Sequence, residues 1–161
     1  MPNQGQIGIA TRQVVYGVTV PRAAAVLPAT ATTTPYWTVA GGLVWVTGLV
    51  GICTAAGDAT ATTLLFEAVP TVGAKNNMCG ASASLASMVI GGLVSLDGTA
   101  ITTALQASGV TVGGNIGGQA KPVMVGVGTI NALTANTNAT LAFRFVLMYV
   151  PIDDGASIAA A

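Results

Sequence analysis

The sequence predicts an all-β chain folded as a β-sandwich, jelly-roll-like, with extended N- and C-terminal segments. Three observations lead there. Short β-branched runs alternate with clusters of Gly, Pro, Asn and Asp, which is the punctuation of strands and turns. Helical periodicity is not sustained anywhere, save that 99–107 reads as a short helix or another strand. Finally, the run 140–150 alternates with period 2. Leu141, Phe143, Phe145, Leu147 and Tyr149 make one large apolar face, and Ala142, Arg144, Val146 and Met148 make the other.

Candidate strands follow in order at 13–20, 36–40, 43–54, 60–69, 88–96, 122–133 and 140–150. The Ala/Ser run 80–87 is ambiguous. Two hairpins are expected. In one, 43–54 and 60–69 flank a loop holding Gly57 and Asp58, both turn formers. In the other, 122–133 and 140–150 flank a polar loop around Asn136, Thr137 and Asn138. Pro21 and Pro28 frame an Ala-rich stretch. Proline cannot donate to a ladder, so this stretch is expected to run extended at an edge or as an arm. Asp153-Asp154-Gly155 reads as a polar turn, followed by a small-residue strand or a loose end. The organisation is an N-terminal arm at 1–12, a single β domain at 13–152 and a C-terminal tail at 153–161. No internal repeat marks the chain.

Composition excludes several functions. Only 6% of the residues are charged, five of each sign, against about 25% in an ordinary domain. Hydrophobic residues make up 52%, too many for charge-driven disorder. Zero net charge provides no basic stripe for nucleic acid and no electrostatic grip on an anionic membrane. So neutral a chain should associate. The second face of 140–150 carries one charge, and Glu67 is the single charge of its strand. Strands apolar on both faces are expected to be buried on both, so part of that second face is expected to lie between subunits.

A membrane span is not expected. The window 37–56 has a spanning length, yet it holds four glycines and three threonines and has no basic flank. The eight aromatics are too few for the girdles of a barrel. The first residues lack the basic and apolar regions of a secretory signal. Cys53 and Cys79 suit buried free thiols in a reducing compartment, and whether they pair is left to the fold.

The chemistry is defined by what is missing. Without histidine, a Ser-His-Asp triad, a Cys-His dyad and a His metal site are all ruled out. Asp153 and Asp154 are adjacent, so on an extended backbone they point apart. Too few oxygens lie nearby for calcium. The run 113–121 resembles a phosphate loop, but Gln119 and Ala120 stand where Lys and Ser/Thr are required. Asn138-Ala139-Thr140 matches a glycosylation sequon but reads as a polar turn. Trp37, Trp45, Tyr16 and Tyr36 could form a sugar platform, though core or interface anchoring suits such scarce aromatics better. No catalytic, cofactor-binding or metal residues are expected, and the chain is not expected to be an enzyme.

Four segments carry a family likeness. They are Trp37-Thr-Val-Ala-Gly-Gly-Leu-Val-Trp-Val-Thr-Gly-Leu-Val-Gly51, Ala68-Val-Pro-Thr-Val-Gly73 with Cys79 shortly after, Gly128-Thr-Ile-Asn131, and Tyr149-Val-Pro-Ile-Asp-Asp-Gly-Ala156. Together, in this order, they resemble stretches of small structural proteins of tailed bacteriophages, often encoded near the major capsid gene. The resemblance implies a capsid decoration, or cement, protein on the outer capsid surface of the virion, assembled in the bacterial host cytoplasm. It implies binding to the major capsid protein, commonly as a homotrimer, without nucleic acid, membrane or cofactor. Arms such as 1–6 or 23–34 could reach neighbouring subunits. Trp37, Trp45, Arg144 and Tyr149 are the interface residues expected from the aromatic and strand patterns. Other virion roles (head-fibre base or tail component) and a carbohydrate or host-surface binding module are the alternatives.

Overall fold

The computed structural model describes residues 15, 17–30, 32–108 and 116–161. Among the described residues, eleven strands follow one another. They are β1 (Val18–Val26), β2 (Thr34–Ala40), β3 (Val44–Ala55), β4 (Leu64–Pro70), β5 (Asn76–Asn77), β6 (Leu93–Ser95), β7 (Gln106–Ala107), β8 (Val123–Val125), β9 (Gly128–Thr134), β10 (Ala142–Pro151) and β11 (Ser157–Ala160). They form two antiparallel sheets, a β-sandwich as the sequence predicts. Sheet A runs β1-β10-β3-β6-β7, with β8 also paired to β3. Sheet B runs β11-β2-β9-β4-β5.

The pairing is nested. β1 lies beside β10, β2 beside β9, β3 beside β8 and β4 beside β5, as if one long hairpin had been rolled up. β6 and β7 extend sheet A, and β11 adds a strand beside β2.

The core is the space between the sheets. All five residues of the apolar face of β10 (Leu141 just before it, then Phe143, Phe145, Leu147 and Tyr149) are buried there. Phe145 is the hub. Its ring centroid lies 5.5 Å from Tyr36 and from Phe66, 5.4 Å from Phe143 and 6.4 Å from Trp37. Edge and tilted contacts dominate this cluster, as the ring quadrupole favours. A bulge between Pro35 and Trp37 lets β2 turn both Tyr36 and Trp37 inward. Across β10, Gly51 faces Phe145, and a Cβ there would overlap the Phe145 ring and the Val94 side chain. The missing side chain thus makes room for the central ring.

Several expectations are corrected. The two expected hairpins do not form: β3 is in sheet A and β4 in sheet B, while β9 is in sheet B and β10 in sheet A. Both loops are corners between sheets. Turn residues dictate that a chain reverses, but not which sheet it returns to. The two corners are bonded to each other instead. Asn136 Nδ2 donates to the Ala61 carbonyl and Thr62 Oγ1 to the Asn136 carbonyl, each at 2.6 Å.

The long expected strand at 122–133 is likewise two strands. The chain leaves sheet A after Val125 and enters sheet B at Gly128. Gly128 has φ 152°, and a Cβ there would collide with the Val69 carbonyl. The 88–96 segment is mostly turn, and only Leu93–Ser95 pairs. Residues 99–107 form turns that end in β7, and 80–87 is a loop bridged to Ala104 by Gly80.

The Ala-rich stretch after Pro21 is not a free arm. It is the edge strand β1, then a segment docked by Leu27 N–H to the Leu141 carbonyl and by Thr134 Oγ1 to the Pro28 carbonyl. Of the strand expected at 13–20, residues 13, 14 and 16 lie outside the described residues, and Val18 to Val20 open β1. The 1–12 arm lies outside the described residues. The 153–161 tail is a turn followed by β11, the strand rather than the loose end.

Candidate functional site

The polar residues that could suggest chemistry are, among the described residues, tied into the scaffold. Asn138 of the sequon is fully buried. Its Oδ1 accepts from the backbone N–H of Asp58 at 3.3 Å and of Leu141 at 3.1 Å, and its Nδ2 donates to the carbonyls of Asp58 and Thr60, each at 3.3 Å. It joins the two sheet-to-sheet corners. Asp153 accepts from Leu43 N–H at 2.7 Å and so fastens the C-terminal turn to the start of β3. Gln119, standing where a phosphate loop needs lysine, donates to the Val46 and Lys121 carbonyls at 2.7 Å each. Residues 113–115 of that run lie outside the described residues. Asp97 accepts from Thr99 N–H at 3.0 Å and from Gln106 Nε2 at 2.5 Å. These hydrogen bonds, the side-chain bond of Thr99 foremost, hold its carboxyl below the ordinary range. Asp58 is lowered in the same way by Thr60.

Cys53 and Cys79 are free and buried, and burial pushes both thiols up. No group of three or more His, Cys, Asp or Glu suited to a metal is found among the described residues. No helix among them is long and apolar enough to cross a membrane.

Glu67 sits on the outer side of sheet B. It is almost fully buried and pairs with the exposed Lys75 at 3.1 Å. Asn131 is its register partner on β9. Glu67 Oε1 and Asn131 Oδ1 are buried without a hydrogen-bond partner among the described residues. An open pocket of about 450 Å³ lies over the Glu67–Lys75 ion pair, walled by Leu65, Ile101, Thr102 and Leu133.

The outer face of sheet A is different in kind. Register places Val150 beside Trp45 and Trp45 beside Met124, then Val146 beside Val50, and Arg144 beside Ile52, which abuts Leu93. Trp45 is 43% exposed, Val50 36%, Met124 58% and Val150 37%. Gly48 lies under the Met148 side chain, which a Cβ would displace. A shallow groove of about 220 Å³ runs between Val50, Ile52, Leu93, Arg144 and Val146. Arg144 is the one charge projecting from this stretch. Apolar side chains gathered on one sheet face make this face a candidate for contact with another molecule.

Of the four expected interface residues, the fold brings Trp45 and Arg144 onto this face. Trp37 and Tyr149 are corrected to core positions, since both point between the sheets and are buried. Strand parity explains Tyr149, which shares the inner side of β10 with Phe145. The β2 bulge explains Trp37. The aromatic sugar platform is not assembled: Tyr36 and Trp37 are buried and Trp45 lies on the sheet A face, while Tyr16 is outside the described residues. Val50, Ile52, Leu93, Met124 and Val150 were not singled out by sequence. Alternation within 43–54 and 140–150 was the signal for three of them. Met124 and Leu93 needed the pairing.

Compared with protein families, curated proteins and solved structures, the chain has no match.

Proposed function

We propose that this chain is a structural virion protein that decorates and stabilises a phage capsid by binding the outer surface of the major capsid protein lattice. The observation that carries the reading is the outer face of sheet A. A sandwich already has its core between its sheets, so a second apolar face serves contact with another protein. Trp45 and Met148 are residue types enriched at such contacts.

Two further features support it. The nested pairing β1/β10, β2/β9, β3/β8, β4/β5 supports reading the sandwich as jelly-roll-like, an architecture recurrent in viral shells and in lectins. Low charge of both signs suits a molecule crowded among copies in a lattice. Repetition over that lattice turns modest single contacts into firm attachment.

Copy number in purified particles tests this. A decoration protein is present in numbers proportional to the capsid lattice, measured by quantitative mass spectrometry against the major capsid protein. A handful of copies per particle contradicts decoration and favours a fibre base or tail component. No copies at all removes the virion reading.

A further inference from the structure

Three edge strands of the two sheets, β1, β5 and β7, are poorly suited to strand addition, while one face is open. β1, the free edge of sheet A, carries Pro21, a register shift between Arg22 and Ala25, and an inward-pointing charge. That charge is Arg22, whose guanidinium stacks over the Tyr36 ring at 3.8 Å. Prolines, bulges and inward charges are the devices that blunt an edge strand. The edge strands β5 and β7 are two residues long. The remaining edge of sheet B, β11, spans four residues, so the outer face of sheet A is the broader surface open to association.

We infer that the outer face of sheet A docks a second copy of this chain, face to face, about a two-fold axis running across the strands. This rests on the reading of that face as a docking surface between subunits of a shell and names a second copy as its occupant, so that the resulting dimer meets the capsid through its other surfaces. Size is the first argument. The face is four strands wide, with β6 and β8 sharing one flank of β3. At about 4.8 Å per strand and about 3.3 Å per residue it measures roughly 20 by 25 Å. With side-chain relief and the exposed Leu43, Val127 and Ile152 at its Trp45 end, it approaches the roughly 800 Å² per partner of a standard interface. Two sheets pack this way about 10 Å apart.

Charge sets the orientation. Arg144 stands at one end of the face. At the other end, past Val150, the chain enters the exposed turn that holds Asp154. Arg144 and Asp154 form no ion pair within the described chain. A two-fold axis along the strands would stack Arg144 on its own copy, a like-charge contact in a desolvated patch. An axis across the strands reverses the partner, so that each Arg144 meets the other copy's Asp154 end. Apolar rows then face apolar rows, and both charge pairs form at the rim. Such an isologous contact closes after two copies.

Sedimentation equilibrium of the purified chain tests the inference. A dimer is expected at micromolar concentration. Val50→Lys puts an ammonium at the centre of the face on an already exposed position, and is expected to give a folded monomer, with circular dichroism confirming the fold. Arg144→Glu and Asp154→Arg are each expected to weaken dimerisation about tenfold, and the double variant to restore it. A monomeric or trimeric wild type overturns the inference, as does a dimer indifferent to Val50→Lys. Failure of the double variant to recover overturns the orientation. A monomer whose entry into particles is abolished by Val50→Lys overturns self-docking and leaves the shell reading standing. A dimer that never enters particles does the reverse.

Discussion

Asn138 illustrates how much a single polar residue carries here. It is fully buried and satisfies backbone groups from two corners. Asn138→Ala is expected to cost about 2–4 kcal/mol in urea melts, because each orphaned buried group costs about 1–3 kcal/mol. Asn138→Asp should be worse at neutral pH, since a carboxylate oxygen would face the Asp58 and Thr60 carbonyls. Gly51 is the apolar counterpart. Gly51→Ala forces a methyl against the Phe145 ring and is expected to cost about 1–3 kcal/mol, the range of overpacking. Stability unchanged in that variant would show that the ring cluster can shift. Phe145→Asp is expected not to fold at all, since it buries an unpaired charge among four aromatic rings. Phe145 was legible from alternation alone. The importance of Asn138 was not: as part of a sequon in a polar loop it looked like a solvent-facing turn residue. Its burial depends on two corners distant in sequence meeting in space.

At the scale of elements, strands were more legible than their partners. Alternation located β2, β3, β4 and β10 closely, because each buries one side against the core. It could not place the corners, since 55–63 and 135–141 have the composition of hairpin loops while joining strands of different sheets. For the Ala-rich part of β1, Pro21 and the alanines left an edge and an arm equally open. As an edge strand it tolerates proline, and it stays paired with β10 on both sides of the register shift between Arg22 and Ala25. The account gives this edge a protective role. Replacing two of its three devices, Pro21→Val with Arg22→Val, is expected to raise light scattering on storage at equal concentration. The far-ultraviolet spectrum should stay that of the parent. Unchanged solubility would mean that the bulge and the flanking chain protect the edge by themselves.

For the whole molecule, the missing histidine has a consequence in pH. Asp58 and Asp97 are lowered by hydrogen bonds. Their contribution is present above the ordinary Asp value of about 3.9 and lost as pH falls through the folded values. Cys53, Cys79 and Tyr36 are raised by burial, with Arg22 partly opposing the shift at Tyr36. The folded chain holds these protons more tightly than the unfolded chain. Stability is therefore full below about pH 8.5 and declines as pH rises through the folded values. Thermal unfolding is expected to show a flat plateau from about pH 5 to pH 8 with losses on both sides. A step near pH 6.5 would contradict it.

Low charge has one meaning across all three scales. Inside, the polar groups secure corners. At the edges, one inward arginine discourages strand addition. Outside, sheet A offers an apolar face with a cation at one end. Cryo-electron microscopy of intact particles decides whether this chain decorates a capsid. Density for this sandwich is expected on the capsid exterior, with the sheet A side chains Trp45, Val50 and Val146 covered by protein. Density in which that face looks into solvent, or a capsid exterior that lacks the sandwich, would contradict it.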